Sequence, residues 1–283
     1  MKFSTSTLSG LAALMLLGAG GVQAALQPYT SQGVNLVYST DQDLTWTADA
    51  NLFNTLCEAK GGTAPAICPN LIAAIIAAGS PVAHTPSGSF PSPHDVVDTE
   101  FDQTNGRMTW FAAKAWVAYL NLIAYGGATD WRLWQADPSD TNCSSIDPVG
   151  QHQGFGCIGN ELGYLYYEEG GVTPPNPGPP ISTLSPLSNM FSNLQDWIYW
   201  SGTEYAPNPY HAWYFNSENG AQVNVNKGSE VPHAWAVRPG QLEPDSQPIP
   251  TVSVLGLGLL GLLLAGLARA RIRSLGASGD SAL

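Results

Sequence analysis

Residues 252–268 of this 283-residue chain, VSVLGLGLLGLLLAGLA, carry no charge, and Arg269, Arg271 and Arg273 follow at once. As a helix this run would extend roughly 25 Å, near the lower limit for crossing a bilayer. Basic residues stay on the cytoplasmic side, so the segment directs whatever precedes it to the outside. The other end agrees. Lys2 precedes an apolar run over 8–22 that closes in Val22-Gln23-Ala24, a small-x-small cleavage pattern. A secretory signal peptide over 1–24 is therefore expected, with the mature chain beginning at Ala25. The foldable body is then confined to residues 25–240. A polar, proline-containing linker (241–250), the spanning segment with its basic end (251–273) and a short cytoplasmic tail (274–283) follow it.

That body holds six basic and nineteen acidic side chains, a net of −13. So negative a surface excludes nucleic acid and anionic lipid as natural partners and suits sulfated polysaccharide poorly. Nine tryptophans, eleven tyrosines and a low charged fraction of 11% fit a folded extracellular domain, and the length is enough for one large domain. Its four cysteines are Cys57, Cys68, Cys143 and Cys157. In an exported chain an even count favours disulfides, with three possible connectivities; the spacing favours 57–68 and 143–157, each closing a local loop. The metal-site alternative lacks any CxxC or HxxxH spacing.

Local patterns suggest the elements. Residues 33–46 read as two strands around the turn Asp41-Gln42-Asp43, and 48–60 have helical spacing that stops at Gly61-Gly62. Asn70 is placed to cap a short apolar helix over 71–78. The clearest helix is 109–121, where Trp110, Ala113, Val117 and Leu120 form one stripe with Trp116 beside it. A further helix over 161–169 has Asn160 as its cap. The six prolines of 172–188 require a semi-extended insertion, and from Trp197 to Pro239 the pattern turns to strands. Asp130 and Arg132, flanking Trp131, are placed to pair with one another, with a role as polar ligands as the alternative.

Several segments in order, "VYSTDQDLTW", "MTWFAAKAWVAYLNLIAYGGATDWRL", "NELGYLYYEEGG", "WSGTEYAPNPYHAWYFNSENGAQ" and "HAWAVRPG", resemble the Lcl C-terminal domain family of bacterial surface proteins. The resemblance covers most of 34–240 and implies a single α+β domain of C-type-lectin-like, formylglycine-generating-enzyme-like fold with antiparallel hairpins near its C-terminus. It also implies surface display and, in the collagen-like adhesin that names the family, glycosaminoglycan binding. The acidic body argues against carrying that ligand over, and Trp134-Gln135 departs from the Pro-Thr common in the family. The end "IPTVSVLGLGLLGLLLAGLARARIR" resembles the IPTL-CTERM and PEP-CTERM sorting signals of Gram-negative bacteria. That resemblance implies processing near Pro250-Thr251 by an exosortase-like membrane protease. Val252 and Leu255 depart from the usual Leu and Trp, and a plain single-span anchor is the alternative.

Asn219-Gly220 is a two-residue hairpin signal flanked by alternating side chains. With those residues as the loop, Phe215 faces Asn224, and Trp213, Phe215, Gln222, Asn224 and Asn226 share one face. Aromatic rings beside amides offer what a neutral sugar binds against. A register slipped by one would bring Val223 and Val225 beside Trp213 and make an ordinary core. These five residues, with Glu204 in the preceding turn, are the candidate ligand set; Glu204 has a structural acceptor role as its alternative. Trp235 and Val237 are expected in the core, with Arg238 opposite.

No catalytic motif is present: no GxSxG elbow, HExxH helix or phosphate-binding glycine loop. The late cysteine pair of formylglycine chemistry is missing, since Cys157 is the last. No cofactor is implied, although Asp98, Glu100 and Asp102 leave an irregular Ca²⁺ site open; Gln103 and Thr109 do not fit an EF-hand. The reading is an exported, non-enzymatic surface or matrix domain that binds glycan. A structural envelope component and an extracytoplasmic polysaccharide hydrolase are the alternatives.

Overall fold

The computed structural model describes residues 25–61, 67–88 and 90–246. The expected signal segment with Ala24, and the C-terminal segment with Pro250 and Thr251, lie outside the described residues. Among the described residues no helix is long and apolar enough to cross a membrane.

The fold is α+β, with antiparallel sheets. A five-stranded sheet is built from β1 (Leu26–Ser31), β2 (Val34–Ser39), β3 (Leu44–Thr47), β4 (Arg132–Leu133) and the last strand, β10 (Ala236–Pro239), in the order β1-β2-β3-β10-β4. β5 (Ser145–Ile146) and β6 (His152–Gln153) form a small ribbon. β7 (Ile198–Glu204), β8 (His211–Asn216) and β9 (Ala221–Asn226) form a three-stranded sheet. The helices are α1 (Leu52–Glu58), α2 (Pro69–Gly79), α3 (Trp110–Leu122), α4 (Glu161–Tyr164), which runs on as a π turn over Leu165–Glu169, and α5 (Ser185–Ser188).

Local chemistry explains most boundaries. The β1–β2 turn is Gln32-Gly33, with φ of 48° and 77°, the left-handed pair that suits a tight hairpin. Thr109 caps α3 by accepting from Ala112 N (3.2 Å). Pro69 starts α2, so Asn70 lies inside that helix rather than at its cap. α1 begins later than its spacing suggests because Asp49 holds the entry, accepting from Asn51 N (2.9 Å) and Thr55 Oγ1 (2.6 Å). Both expected disulfides form, Cys57–Cys68 and Cys143–Cys157, with Cα separations of 5.0 and 4.3 Å. Such bonds belong to an oxidising compartment outside the cytoplasm.

The three-stranded sheet divides two cores. On one face Trp200 and Ala212 pack with α2, α3 and Leu133; on the other, Tyr199, Trp213 and Phe215 pack with Trp46, Trp134, Tyr166 and Trp235. The α3 stripe and Trp116 are buried as expected, as are Trp235 and Val237. The proline-rich run is no loose insertion, because Ile181, Leu184 and Leu187 anchor it in the second core.

The linker begins later than residue 240. Leu242 packs on the first core, and Asp245 accepts from Gln32 N (2.8 Å) and Gly33 N (2.9 Å). The expected Asp130–Arg132 pair does not form. Arg132 makes a bidentate pair with Glu161 (2.6 and 2.7 Å), and Asp130 takes Arg238 (2.7 and 3.0 Å). Partners brought in from α4 and β10 meet these groups in a planar fork, a geometry preferred by guanidinium and carboxylate.

Candidate functional site

The β8–β9 hairpin keeps the expected face membership but not the expected pairing. Asn216 faces Ala221, Phe215 faces Gln222 and Trp213 faces Asn224, so the loop is 217–220 rather than two residues. Ser217 is drawn toward β7 instead, exchanging hydrogen bonds with the Trp197 backbone. Gly220, at φ +88°, closes the loop and its N donates to Asn216 O (2.7 Å). A shift of two residues leaves every side chain on its original face.

That face is not the open platform the residue types suggest. Trp213, Phe215 and Gln222 are all fully buried. Trp134 and Tyr166 cover Phe215, Tyr205 stands edge-on to Trp213, and Gly154 pairs with Gln222 along the free edge of β9. Gln222 Nε2 donates to His152 O (3.3 Å) inside this packing. These three residues therefore belong to the scaffold, not to a ligand.

Glu204 lies on the opposite face, where it accepts from the fully buried Lys227 Nζ (2.6 Å) and from Thr85 N (3.1 and 3.2 Å). Burial alone would raise its carboxyl, but the Lys227 ammonium and the Thr85 amide outweigh that and hold it below the ordinary value. Lys227 and Lys114 both lie over the Trp110 ring, 4.8 and 5.5 Å from its centre. Burial lowers both lysines against the raising influence of Glu204. Glu204 is thus a tie between the loop after α2 and the sheet, and is not grouped with the amides.

What remains accessible is the outer end of the hairpin. His211 faces Asn226 across the strands, next to the Trp213–Asn224 pair, and His211, Asn224 and Asn226 are all half-buried. His211 Nδ1 donates to Asn224 Oδ1 (2.7 Å), which leaves Nε2 as the ring's other polar atom. Asn226 Oδ1 accepts from Gly228 N (2.7 Å). Neither amide NH₂ donates to any group among the described residues. Tyr205 and Tyr210 flank the imidazole at 6.3 and 5.7 Å, and Tyr210 stacks on Phe90 at 4.8 Å. Tyr205 is fixed by donating to Asp147 (2.5 Å), which pushes its hydroxyl up to about 12. The sequence reading missed Tyr205, Tyr210 and His211, although all three stand in the short run that leads into β8.

One tryptophan of the nine is exposed. Trp197 is 38% accessible and has the Arg107 guanidinium 5.8 Å from its ring centre. The three carboxylates considered for Ca²⁺ are not gathered. Glu100 pairs with His94 (2.8 Å) and with Thr109, while Asp102 binds Thr104 (2.6 and 3.0 Å). Among the described residues no group of three or more metal-ligating side chains is assembled.

No family model, no curated protein and no solved structure matches this chain.

Proposed function

We propose that the chain is an exported, non-enzymatic domain of the cell surface or extracellular matrix that binds a neutral glycan through the outer end of the β8–β9 hairpin. The observation that carries this reading is the uncommitted amide NH₂ groups of Asn224 and Asn226 beside His211, Tyr205 and Tyr210. Amide donors, an imidazole nitrogen and aromatic faces are what sugar hydroxyls and a pyranose C–H face can use.

The resemblances to the Lcl C-terminal domain and to the short C-terminal sorting signals support display at the surface, as do the two disulfides. In this account the fold is C-type-lectin-like. The chain is first held in the inner membrane with its C-terminus in the cytoplasm, then passed outward by an exosortase-like protease acting near Pro250-Thr251. The test is a glycan array probed with the exported protein: Asn226→Ala and Tyr210→Ala lose binding while Trp197→Ala retains it. Binding lost only in Trp197→Ala would move the site to the Arg107–Trp197 patch.

A purely structural envelope role is the second reading, favoured by the burial of eight of the nine tryptophans. Absence of binding to every glycan on the array would favour it.

A further inference from the structure

The end of the π turn holds a carboxylate with half of its bonding unfilled. Glu169 Oε1 accepts from Ser39 Oγ (2.5 Å), whereas Oε2 is buried and has no hydrogen-bond partner among the described residues. Glu169 lines a cavity of about 140 Å³ together with Ala25, Leu26, Pro186 and Met190. The β1–β2 pair fixes Ala25 there: Leu26 faces Ser39, and Thr40 N donates to Ala25 O (2.8 Å). The strand pair that carries Ala25 thus also carries the serine that grips Glu169.

Among the described residues the ionisable groups that act on this carboxylate are Asp41 and Tyr164, and neither is a cation. None of the four ion pairs among the described residues includes Glu169. Burial pushes the Glu169 carboxyl up to about 7, against the Ser39 hydrogen bond and with the Asp41 charge. A buried carboxylate without a counter-charge is costly to ionise.

We propose that the missing partner is the chain's own processed amino terminus: the α-ammonium of Ala25, which lines the same cavity, pairs with Glu169 Oε2 and locks β1 onto the π turn. The inference rests on the export reading, and specifically on cleavage after Ala24. Hydrolysis of the Ala24–Ala25 peptide bond by water leaves a carboxylate on Ala24 and an ammonium on Ala25. Before cleavage the Ala25 nitrogen is a neutral amide with one N–H; afterwards it carries a positive charge and three donors. Removal of the signal peptide then completes the packing of the domain rather than merely releasing it.

The test uses the exported protein. Intact mass identifies its first residue, and a limiting amine-acylating reagent measures the reactivity of the α-amine. The expected result is a chain that starts at Ala25 and whose α-amine acylates about tenfold more slowly at pH 7.5 than in Glu169→Gln, the effect of raising its pKa by roughly one unit. The pH profile of wild-type labelling should place the amine above its ordinary value of about 7.7–8.0; this profile decides the matter alone should Glu169→Gln not fold. A chain that starts elsewhere overturns both the cleavage reading and the pairing. A chain that starts at Ala25, with an ordinary amine and no response to Glu169→Gln, overturns the pairing and leaves export standing.

Discussion

Lys227 is fully buried, and its ammonium lies 2.6 Å from Glu204 while sitting over the ring of Trp110. This contact joins the end of β9 to the end of β7 and, through Thr85, to the loop that follows α2. It explains why a carboxylate in an aromatic-rich turn is occupied by the protein itself.

Removing one partner should cost far more than removing both. Glu204→Ala strands a buried ammonium and should destabilise the domain by about 3–5 kcal/mol, whereas Glu204→Ala with Lys227→Met should cost clearly less. Urea unfolding of the single and double variants measures the difference. A single-variant cost below about 1 kcal/mol would show that the pair is solvated. The carboxyl of Glu204 is held below its ordinary value of 4.5, so the stability it contributes is present above that pH and is lost as pH falls below it.

Trp213 should behave as core. Trp213→Ala is expected to cost about 3–5 kcal/mol, and its effect on any binding should follow the loss of folded protein. Acrylamide quenching gives an independent reading. Trp197→Phe should remove most of the quenchable tryptophan emission, and Trp213→Phe should leave it nearly unchanged. Strong quenching that disappears in Trp213→Phe would place that ring at the surface.

His233 gives the domain a sensitivity to acid. It is 2% exposed, Nε2 donates to Asn105 O (3.2 Å) and Nδ1 has no hydrogen-bond partner among the described residues. Burial, reinforced by the Arg107 charge, pushes its pKa down to about 4 from 6.5. Between those values the unfolded chain binds a proton that the folded chain refuses, so stability rises with pH. About 3 kcal/mol should be lost as pH falls from 6.5 to 4. His233→Gln should flatten that part of the stability-against-pH curve; an unchanged slope would assign the acid sensitivity to other groups.

Reduction should also be felt. The two disulfides close loops with sequence separations of 11 and 14 residues. In the chain-entropy account each contributes about 3 kcal/mol. Thermal melts of Cys57→Ser/Cys68→Ser and Cys143→Ser/Cys157→Ser measure each alone, and melts that match wild type would remove them from the account of stability.

The parts of this fold that are legible in the sequence are those set by neighbours along the chain. Thr109 before an apolar stripe specifies α3, Asn160 specifies the start of α4, and the separation of the cysteines specifies their pairing. Alternation across Asn219-Gly220 specifies which hairpin side chains share a face. What covers that face is set by segments distant in the chain, Trp134, Tyr166 and Gly154 among them, and no local pattern records it. The partners of Asp130, Arg132 and Glu204 are hidden for the same reason. β1 escaped notice because Gln32 is an uncommon residue at positive φ in a tight turn. At the candidate site, Asn224 and Asn226 are legible from alternation, whereas His211, Tyr205 and Tyr210 join them only through tertiary packing.

The central claim is that the accessible end of the hairpin, and not its buried aromatic face, meets the ligand. Chemical-shift mapping of the isotope-labelled exported protein, titrated with a neutral oligosaccharide selected on the array, tests it most directly. The account predicts shifts confined to residues 205–211 and 224–226, with Asn226→Ala weakening binding about tenfold, the loss of roughly one hydrogen bond's worth of free energy. Shifts centred on Trp197 and Arg107, or no shifts with any neutral glycan, would contradict it.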